Sequence, residues 1–358
     1  MYCRFRAALF AGVSTTALLI GSAQLNAADV PARVVTKAPV VAPCKPAHSI
    51  FVEGGAFWTH GGKVHHDPFF GDLDEGFDSS VMALDPRMGW YGAAGIDLQV
   101  GCSPWHVSTQ FRYGVAGTSS KNFSSAFEDF SEEEFEEGFT SGDAQARARH
   151  HEKHWALDFM VGYQLGVGGA PGPGRHQSQL KVGVRVAKLD ATTRSSGEAT
   201  QNSSIPPITS IFEALEGSQL QKSAFLGFGP RVAFEGTAPL AGAWAVDYGI
   251  GAALLFGNRK LSNTGSGVLT TTFCSIGGCS PGIESIFSSS QRSTDRGTVF
   301  NLDAQLGLSY WMTDTFRWTV GYRFDGYWNA LRTLNKNGTP ANEDRFFHGA
   351  FLRVTGQY

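Results

Sequence analysis

Large apolar and polar side chains alternate with a two-residue period along most of this chain. In WHVSTQFRY (105–113), large apolar or β-branched residues fall at every second position, with His106, Gln110 and Arg112 between them. Successive side chains of a β-strand point to opposite faces, so the pattern predicts strands with one apolar and one polar face. Ten such stretches occur, at about 50–60, 89–100, 105–113, 154–167, 179–187, 224–235, 243–257, 300–310, 316–325 and 350–358.

The lengths and spacing of these stretches favour a barrel in a membrane. Most are long enough for a tilted strand to cross a bilayer, and an even strand number is usual for bacterial barrels. The connections alternate between long ones (about 61–88, 118–153, 190–222, 258–297 and 328–345) and short ones (about 101–104, 168–177, 236–242 and 311–315). We therefore predict long extracellular loops, short periplasmic turns and ten strands. Twelve is the alternative, if 190–222 hides a short hairpin.

The positions of the tryptophans indicate which face of the strands points outward. A soluble sandwich or lipocalin-like barrel also alternates, but it points its apolar side inward. All eight tryptophans lie at or near a predicted strand end, as in the aromatic girdles of membrane barrels. We predict an all-β fold, a transmembrane antiparallel up-and-down β-barrel whose apolar face meets lipid. The predicted girdle is Trp58, Trp90, Trp105, Trp155, Trp244, Trp311, Trp318 and Trp328.

Composition and the first residues agree with this fold. The 358 residues carry 44 Gly, 27 Phe and a formal net charge of −3, which suits strands and gives no reason to expect a nucleic-acid partner. A basic start, a short apolar run and small residues predict a signal peptide over 1–28. A Pro-rich periplasmic lead-in (29–48) and the barrel (49–358) follow. The expected location is the outer membrane of a Gram-negative bacterium.

Four segments resemble the Legionella-type major outer membrane protein family. They are GPRVAFEG (229–236), GIGAALLFG (249–257), LDAQLGLSYW (302–311) and GYRFDGYW (321–328). The resemblance covers roughly 50–358, and the lead-in resembles the mature start of many α-proteobacterial outer-membrane proteins. It implies a pore-forming outer-membrane barrel.

Charged residues on the polar faces are expected to line the lumen. They are Asp97, Arg112, Asp158, Lys181, Arg185, Arg231, Asp247, Asp303, Arg317, Arg323, Asp325 and Arg353, with Glu235 as a further acidic candidate. The simplest registers place Asp303 opposite Arg323, Arg231 opposite Asp247, and Asp158 opposite Arg185.

Barrel size limits the function that this lumen can have. Barrels of about eight strands are filled by their side chains, whereas those of roughly sixteen or more leave a water channel. We therefore expect a narrow pore for ions or small solutes, because many inward positions are small. The alternative is a structural or adhesive surface barrel, with a salt-bridge-plugged lumen and no transport.

The cysteines predict two disulfides. After signal removal four remain, and only Cys44–Cys102 with Cys274–Cys279 keeps each pair on one side of the predicted membrane. The resemblance implies a rival arrangement, in which disulfides join separate chains.

Other candidate sites are weaker. The acidic segment 122–143 has phenylalanines at near-helical spacing, which predicts a short amphipathic helix at the barrel mouth. Histidines at 65–66 and in HHEKH (150–154) lack a converging metal-ligand pattern, and no catalytic motif has a fitting context. We expect no enzymatic activity, catalytic residue, metal or cofactor. The expected partners are outer-membrane lipid, lipopolysaccharide and the barrel-assembly machinery; a homo-oligomer is left open.

Overall fold

Antiparallel strands account for nearly all of the residues that the computed structural model describes, which are 47–61, 88–133, 136–165, 172–205, 209–334 and 339–358. The predicted signal peptide, most of the lead-in and most of the first long connection lie outside these ranges. The strands are β1 (His48–Gly61), β2 (Gly89–Gln99), β3 (Trp105–Ala116), β4 (Ser119–Glu133), β5 (Glu136–Leu165), β6 (Gln177–Ile205), β7 (Thr209–Pro239), β8 (Trp244–Ser275), β9 (Gly278–Cys279), β10 (Ile283–Thr313), β11 (Phe316–Leu334) and β12 (Pro340–Gln357).

Ten of these strands close into a ring. Their order is β1, β2, β3, β5, β6, β7, β8, β10, β11 and β12, and the ring closes because β12 pairs with β1. At the closure, Val52 of β1 lies between Val354 of β12 and Ala94 of β2. Among the described residues, β4 pairs only with β5, and β9 only with β8. The predicted antiparallel up-and-down barrel is confirmed.

The outer surface of the ring is apolar across its lower part. Side chains such as Phe159, Phe228 and Val320 point outward, whereas their neighbours Asp158 and Thr319 are buried inside. Apolar residues outside and polar residues inside are the arrangement that a membrane barrel requires. None of the described residues belongs to a helix long and apolar enough to span a membrane.

Several strands are far longer than predicted. β6, β7, β8 and β10 have 29, 31, 32 and 31 residues, and β5 has 30. The predicted loops at 118–153, 190–222 and 258–297 are mostly continuations of these strands as antiparallel hairpins. Residues 190–205 and 209–222 form the upper parts of β6 and β7.

The predicted helix in the acidic segment is also wrong. Residues 119–133 form β4, which pairs with β5 from Ser119↔His150 to Glu133↔Glu136. β3 ends at Ala116, and β4 then takes over the edge of β5 that β3 leaves. Satisfying those backbone groups outweighs the near-helical spacing of the phenylalanines.

The extended strands have a small apolar core of their own. It contains Ala144, Ala146 and Ala148 of β5, with Ala199 and Leu215 of the next two strands, and Phe123, Leu269 and Phe287 pack against it. Residues from β4 to β10 therefore meet in one apolar cluster. We call this six-stranded extension, formed by β4 with the upper parts of β5, β6, β7, β8 and β10, the raised sheet.

Candidate functional site: the barrel interior

The barrel interior is the candidate site, because it collects charged side chains that are almost completely buried. Some contacts join strands that are not neighbours in the ring, so they cross the lumen. Arg112 on β3 donates to Asp325 on β11, and Nε of Arg345 on β12 donates to Glu152 Oε1 on β5 at 2.8 Å. Side chains therefore span the lumen from wall to wall.

Asp247 organises the periplasmic end. Its Oδ1 accepts hydrogen bonds from the Thr237 hydroxyl at 2.7 Å and Arg317 Nη1 at 3.1 Å, and its Oδ2 accepts one from Thr319 at 2.9 Å. The Arg317 guanidinium carbon lies 5.2 Å from the centre of the Trp311 ring. A cation over an aromatic face adds electrostatic attraction, so Arg317 is held by both the carboxylate and the ring.

One layer higher, Lys181 bridges two carboxylates. Its Nζ lies 2.9 Å from Asp97 Oδ2 and 3.0 Å from Glu235 Oε2. The other oxygen of Asp97 is 2.6 Å from His106 Nδ1. Burial of a lysine is costly unless its charge is paired, and here two carboxylates pair it.

Two arginines and two aspartates form the middle layer. Arg185 is completely buried, and its Nε and Nη2 donate to the two oxygens of Asp158 at 2.6 and 2.7 Å. Its Nη1 donates to Asp303 at 3.1 Å, and Asp303 also accepts from Arg231 Nη2 at 2.8 Å. Two cations and two anions leave this quartet neutral, which limits the cost of removing them from water.

Glu53 is an interior charge that the sequence analysis missed. It is 3% exposed, pairs with Arg323, and accepts from Arg353 Nε at 2.7 Å. Both arginines also donate to Gln305. The signal was present, because Glu53 follows the outward-facing Val52, but the first strand is the least regular of the ten.

An aromatic layer lies above the charges. Phe57, Tyr91, His154 and Phe347 come from four strands, and Tyr327 adds a fifth; each is at most 6% exposed. The His154 and Phe347 rings have centroids 4.0 Å apart, and those of Phe57 and Phe347 are 5.6 Å apart. A cavity of about 20 Å³ remains between this layer and Arg112, which is room for roughly one water molecule.

Another charged group, also missed from the sequence, lies above the aromatic layer. Glu152 Oε1 accepts from Arg345 Nε and lies 2.7 Å from His150 Nε2. Arg345 Nη2 also pairs with Glu343 at 2.7 Å. This group links β5 to β12 across the barrel mouth.

Each of the twelve charged residues that were predicted to line the lumen takes part in an interior ion pair. They are Asp97, Arg112, Asp158, Lys181, Arg185, Arg231, Asp247, Asp303, Arg317, Arg323, Asp325 and Arg353. Most of these pairs join strands two to four places apart in the ring, a relation that a sequence pattern does not contain.

The predicted register is correct for Asp158 opposite Arg185. It is wrong for Asp303, which lies opposite Asp325, two residues along β11 from the predicted Arg323.

The register predicted for Arg231 is also wrong. Arg231 lies opposite Ala253, and Asp247 opposite Thr237. The turn between β7 and β8 is centred on Gly242, whose φ of +59° suits glycine. The centre of this turn therefore lies nearer Asp247 than the predicted register required.

Seven of the eight tryptophans are at least partly exposed, and one is not. Trp311 is 4% exposed and faces the interior, so its predicted place in the girdle is wrong. Its neighbours Tyr310 and Met312 point outward, and alternation then turns Trp311 inward. The other seven, Trp58, Trp90, Trp105, Trp155, Trp244, Trp318 and Trp328, are exposed or half-buried.

The cysteines and the histidine cluster have separate outcomes. Cys274 and Cys279 form a disulfide at the tip of β8. Cys102 is also disulfide-bonded, and its predicted partner Cys44 lies outside the described residues, as do the histidines at 65–66. Within HHEKH, His150 and His154 point inward at different layers, and His151 is exposed.

Two solved outer-membrane proteins resemble this chain in fold. The outer membrane protease OmpT from Escherichia coli aligns with 88% of this chain and 98% of its own, at 10% identity and a TM-score of 0.43. The translocator domain of the autotransporter NalP from Neisseria meningitidis aligns over 89% and 90%, at 10% identity and a TM-score of 0.25. Neither likeness carries an argument about function, and a comparison with curated protein sequences finds no match.

The sequence profile described as Legionella pneumophila major outer membrane protein precursor matches residues 94–356. That match covers most of the chain, and the structure has the outward apolar belt and polar interior of a membrane barrel. The chain therefore belongs to the Legionella major outer membrane protein family, in the outer membrane of a Gram-negative bacterium.

Proposed function

We propose that this protein is a structural surface barrel whose lumen is closed by its own side chains. In this role the barrel anchors the raised sheet outside the membrane and does not conduct solute. The observation that carries the proposal is the aromatic layer that lies on a network of buried ion pairs. No enzymatic step is part of the proposal.

The aromatic layer lies at the outer end of the membrane belt. Phe57 and Tyr327 are sequence neighbours of Trp58 and Trp328, which point the other way toward the outer interface. At this level the interior is occupied by rings in contact, and rings packed at these distances attract one another beyond their buried area. An ion would have to displace them to pass.

The charged layers below supply a second barrier. Removing one partner of a buried ion pair is costly because it leaves an unpaired charge. Arg185 and Asp158 are joined by two short hydrogen bonds, so opening a path between them would break a favourable contact. A narrow pore, which the sequence analysis favoured, is the competing candidate.

Planar-bilayer recording of the refolded full chain tests the proposal. We expect no channel steps from the native protein. Truncation of two layer residues, Tyr327→Ala with Phe347→Ala, should introduce small, infrequent steps, because it removes two of the rings that fill this level and leaves only the charged layers as a barrier. The matched control, Tyr322→Ala with Phe159→Ala, truncates outward-facing rings and should stay silent. Regular steps from well-folded native protein would overturn the closed barrel and support the pore.

A further inference from the structure

A belt of cations lies on the outer face of five neighbouring strands, above the apolar surface of the barrel. Its members are exposed or half-buried and lie on the outward face of β5, β6, β7, β8 and β10. We call this group the basic belt: Arg147, Arg149, Lys153, Lys188, Arg194, Lys222, Lys260, Arg292 and Arg296.

Strand register shows where the belt begins. One row of paired outward residues is wholly apolar across four strands: Leu157, Val186, Phe228 and Phe256. The next outward row contains two cations: Trp155, Lys188, Leu226, Asn258 and Arg296. On these strands the belt therefore starts one outward position beyond the apolar row.

The following rows continue the positive charge. Lys153 and Lys260 share the next row, on strands separated by β6 and β7, and Lys222 and Arg292 share the row after it. Two outward steps along a strand cover about 14 Å. Six cations thus lie within about 14 Å of strand length above the lipid boundary.

Most of these cations have no carboxylate partner among the described residues. Within the described residues, the outward rows of the belt contain one carboxylate, Asp190, which pairs with Lys188 at 2.9 Å. The other eight cations make no ion pair in the described part of the chain. Interior arginines such as Arg185 and Arg345 are instead matched with carboxylates, and the whole chain carries a formal net charge of −3.

The charge reverses farther from the membrane. The two outward rows beyond Arg147 carry exposed acids instead. Glu198 and Glu216 share the first of these rows, and Asp143 and Glu284 share the second. On these outward rows the positive charge therefore lies nearer the apolar surface than the negative charge does. Like charges on neighbouring strands destabilise a sheet unless a counter-charge is present, and this zone is where anionic headgroups lie.

We infer that the basic belt binds the phosphate groups of lipopolysaccharide in the outer leaflet. The acyl chains of that lipid would lie on the apolar rows around Phe228 and Phe256, and its phosphates would reach the lysines and arginines above. Arginine binds phosphate in a two-pronged geometry, and lysine does so as a point charge. This inference does not depend on whether the lumen conducts.

The test measures binding of lipid A to the refolded full chain. Lipid A carrying both phosphates is titrated in nanodiscs of neutral lipid, and the same lipid without phosphates serves as the comparison. The charge-removing variant is Lys153→Gln, Lys222→Gln, Lys260→Gln. The matched control, Lys153→Arg, Lys222→Arg, Lys260→Arg, changes the same exposed sites and keeps their charge.

Native protein should bind bis-phosphorylated lipid A, and binding should weaken as salt rises. Each lysine near an anionic surface contributes roughly five-fold, so the charge-removing variant should bind about a hundred-fold more weakly. The arginine control should bind like the native protein.

Three results would overturn the inference. One is native-like binding by the charge-removing variant, and another is equal binding of phosphate-free lipid A. The third is displacement of lipid A by inorganic phosphate at an equal phosphate concentration, which would assign the belt to free anions. If the glutamine variant fails to fold, the phosphate-free lipid and the salt series on native protein still decide.

Discussion

Replacement of Arg185 by methionine should destabilise the barrel strongly. Arg185 is completely buried and holds Asp158 through two hydrogen bonds of 2.6 and 2.7 Å. Without it, the cation that Asp158 keeps among the described residues is Arg231, whose Nε lies 3.6 Å from Asp158 Oδ2. Breaking a buried pair by removing one partner costs about 3–5 kcal/mol, and the remaining contact with Arg231 places the expected loss near 3 kcal/mol.

The free energy of unfolding can be measured by urea denaturation of the protein in lipid vesicles, followed by tryptophan fluorescence. A loss of about 3 kcal/mol lowers the urea midpoint by roughly 1–3 M at the usual dependence on denaturant. Arg185→Met with Asp158→Leu removes both charges together. It should recover about 2 kcal/mol or more of the loss, because an apolar pair can replace a buried ion pair.

An exposed arginine provides the control for the lost side chain. Arg296→Met should stay within about 0.5 kcal/mol of the native protein, as surface substitutions usually do. A loss below about 1 kcal/mol in Arg185→Met would refute the reasoning, since Arg185 would then contribute no more than a surface ion pair.

Two further predictions concern steric fit and side-chain direction. A Cβ on Gly349 would overlap the backbone carbonyl of Ala56, whereas a Cβ on Gly54 meets its nearest atom at 4.0 Å. Gly349→Ala should therefore lower the unfolding free energy by about 1–3 kcal/mol more than Gly54→Ala. Equal urea midpoints for the two variants would contradict this. In single-tryptophan variants, brominated lipid should quench Trp318 but not Trp311, because only Trp318 faces outward; strong quenching of Trp311 would place it in the girdle after all.

Local patterns in the sequence predicted the strands well and their lengths poorly. All ten predicted strands lie in the ring, because a bilayer demands one apolar face and that demand marks every second residue. The raised sheet has no such demand. Its inward positions include small residues such as Ala144, Ala146 and Ala148, which contrast weakly with their polar neighbours, and its serines and threonines resemble loop composition.

The polar identity of the lumen residues was predictable, but most of their partners were not. Glu53 shows the difference: its neighbour Val52 marks it as inward-facing, yet its partners Arg323 and Arg353 depend on how the ring closes. Pairing between neighbours depends on turn geometry, as at the turn around Gly242, where β7 and β8 pair in a register other than the predicted one. Contacts such as Arg112 with Asp325 also need the curvature that brings distant strands face to face.

The sequence by itself determined that this protein is a membrane barrel, because alternation is a local property and lipid fixes which face points outward. Only the tertiary structure decided which interior side chains meet across the lumen. Whether an interior of this size is open depends on the side chains that meet across it, and those come from strands far apart in the chain. The same holds for the basic belt, where register aligns Lys188 and Arg296 in one row although the sequence separates them widely.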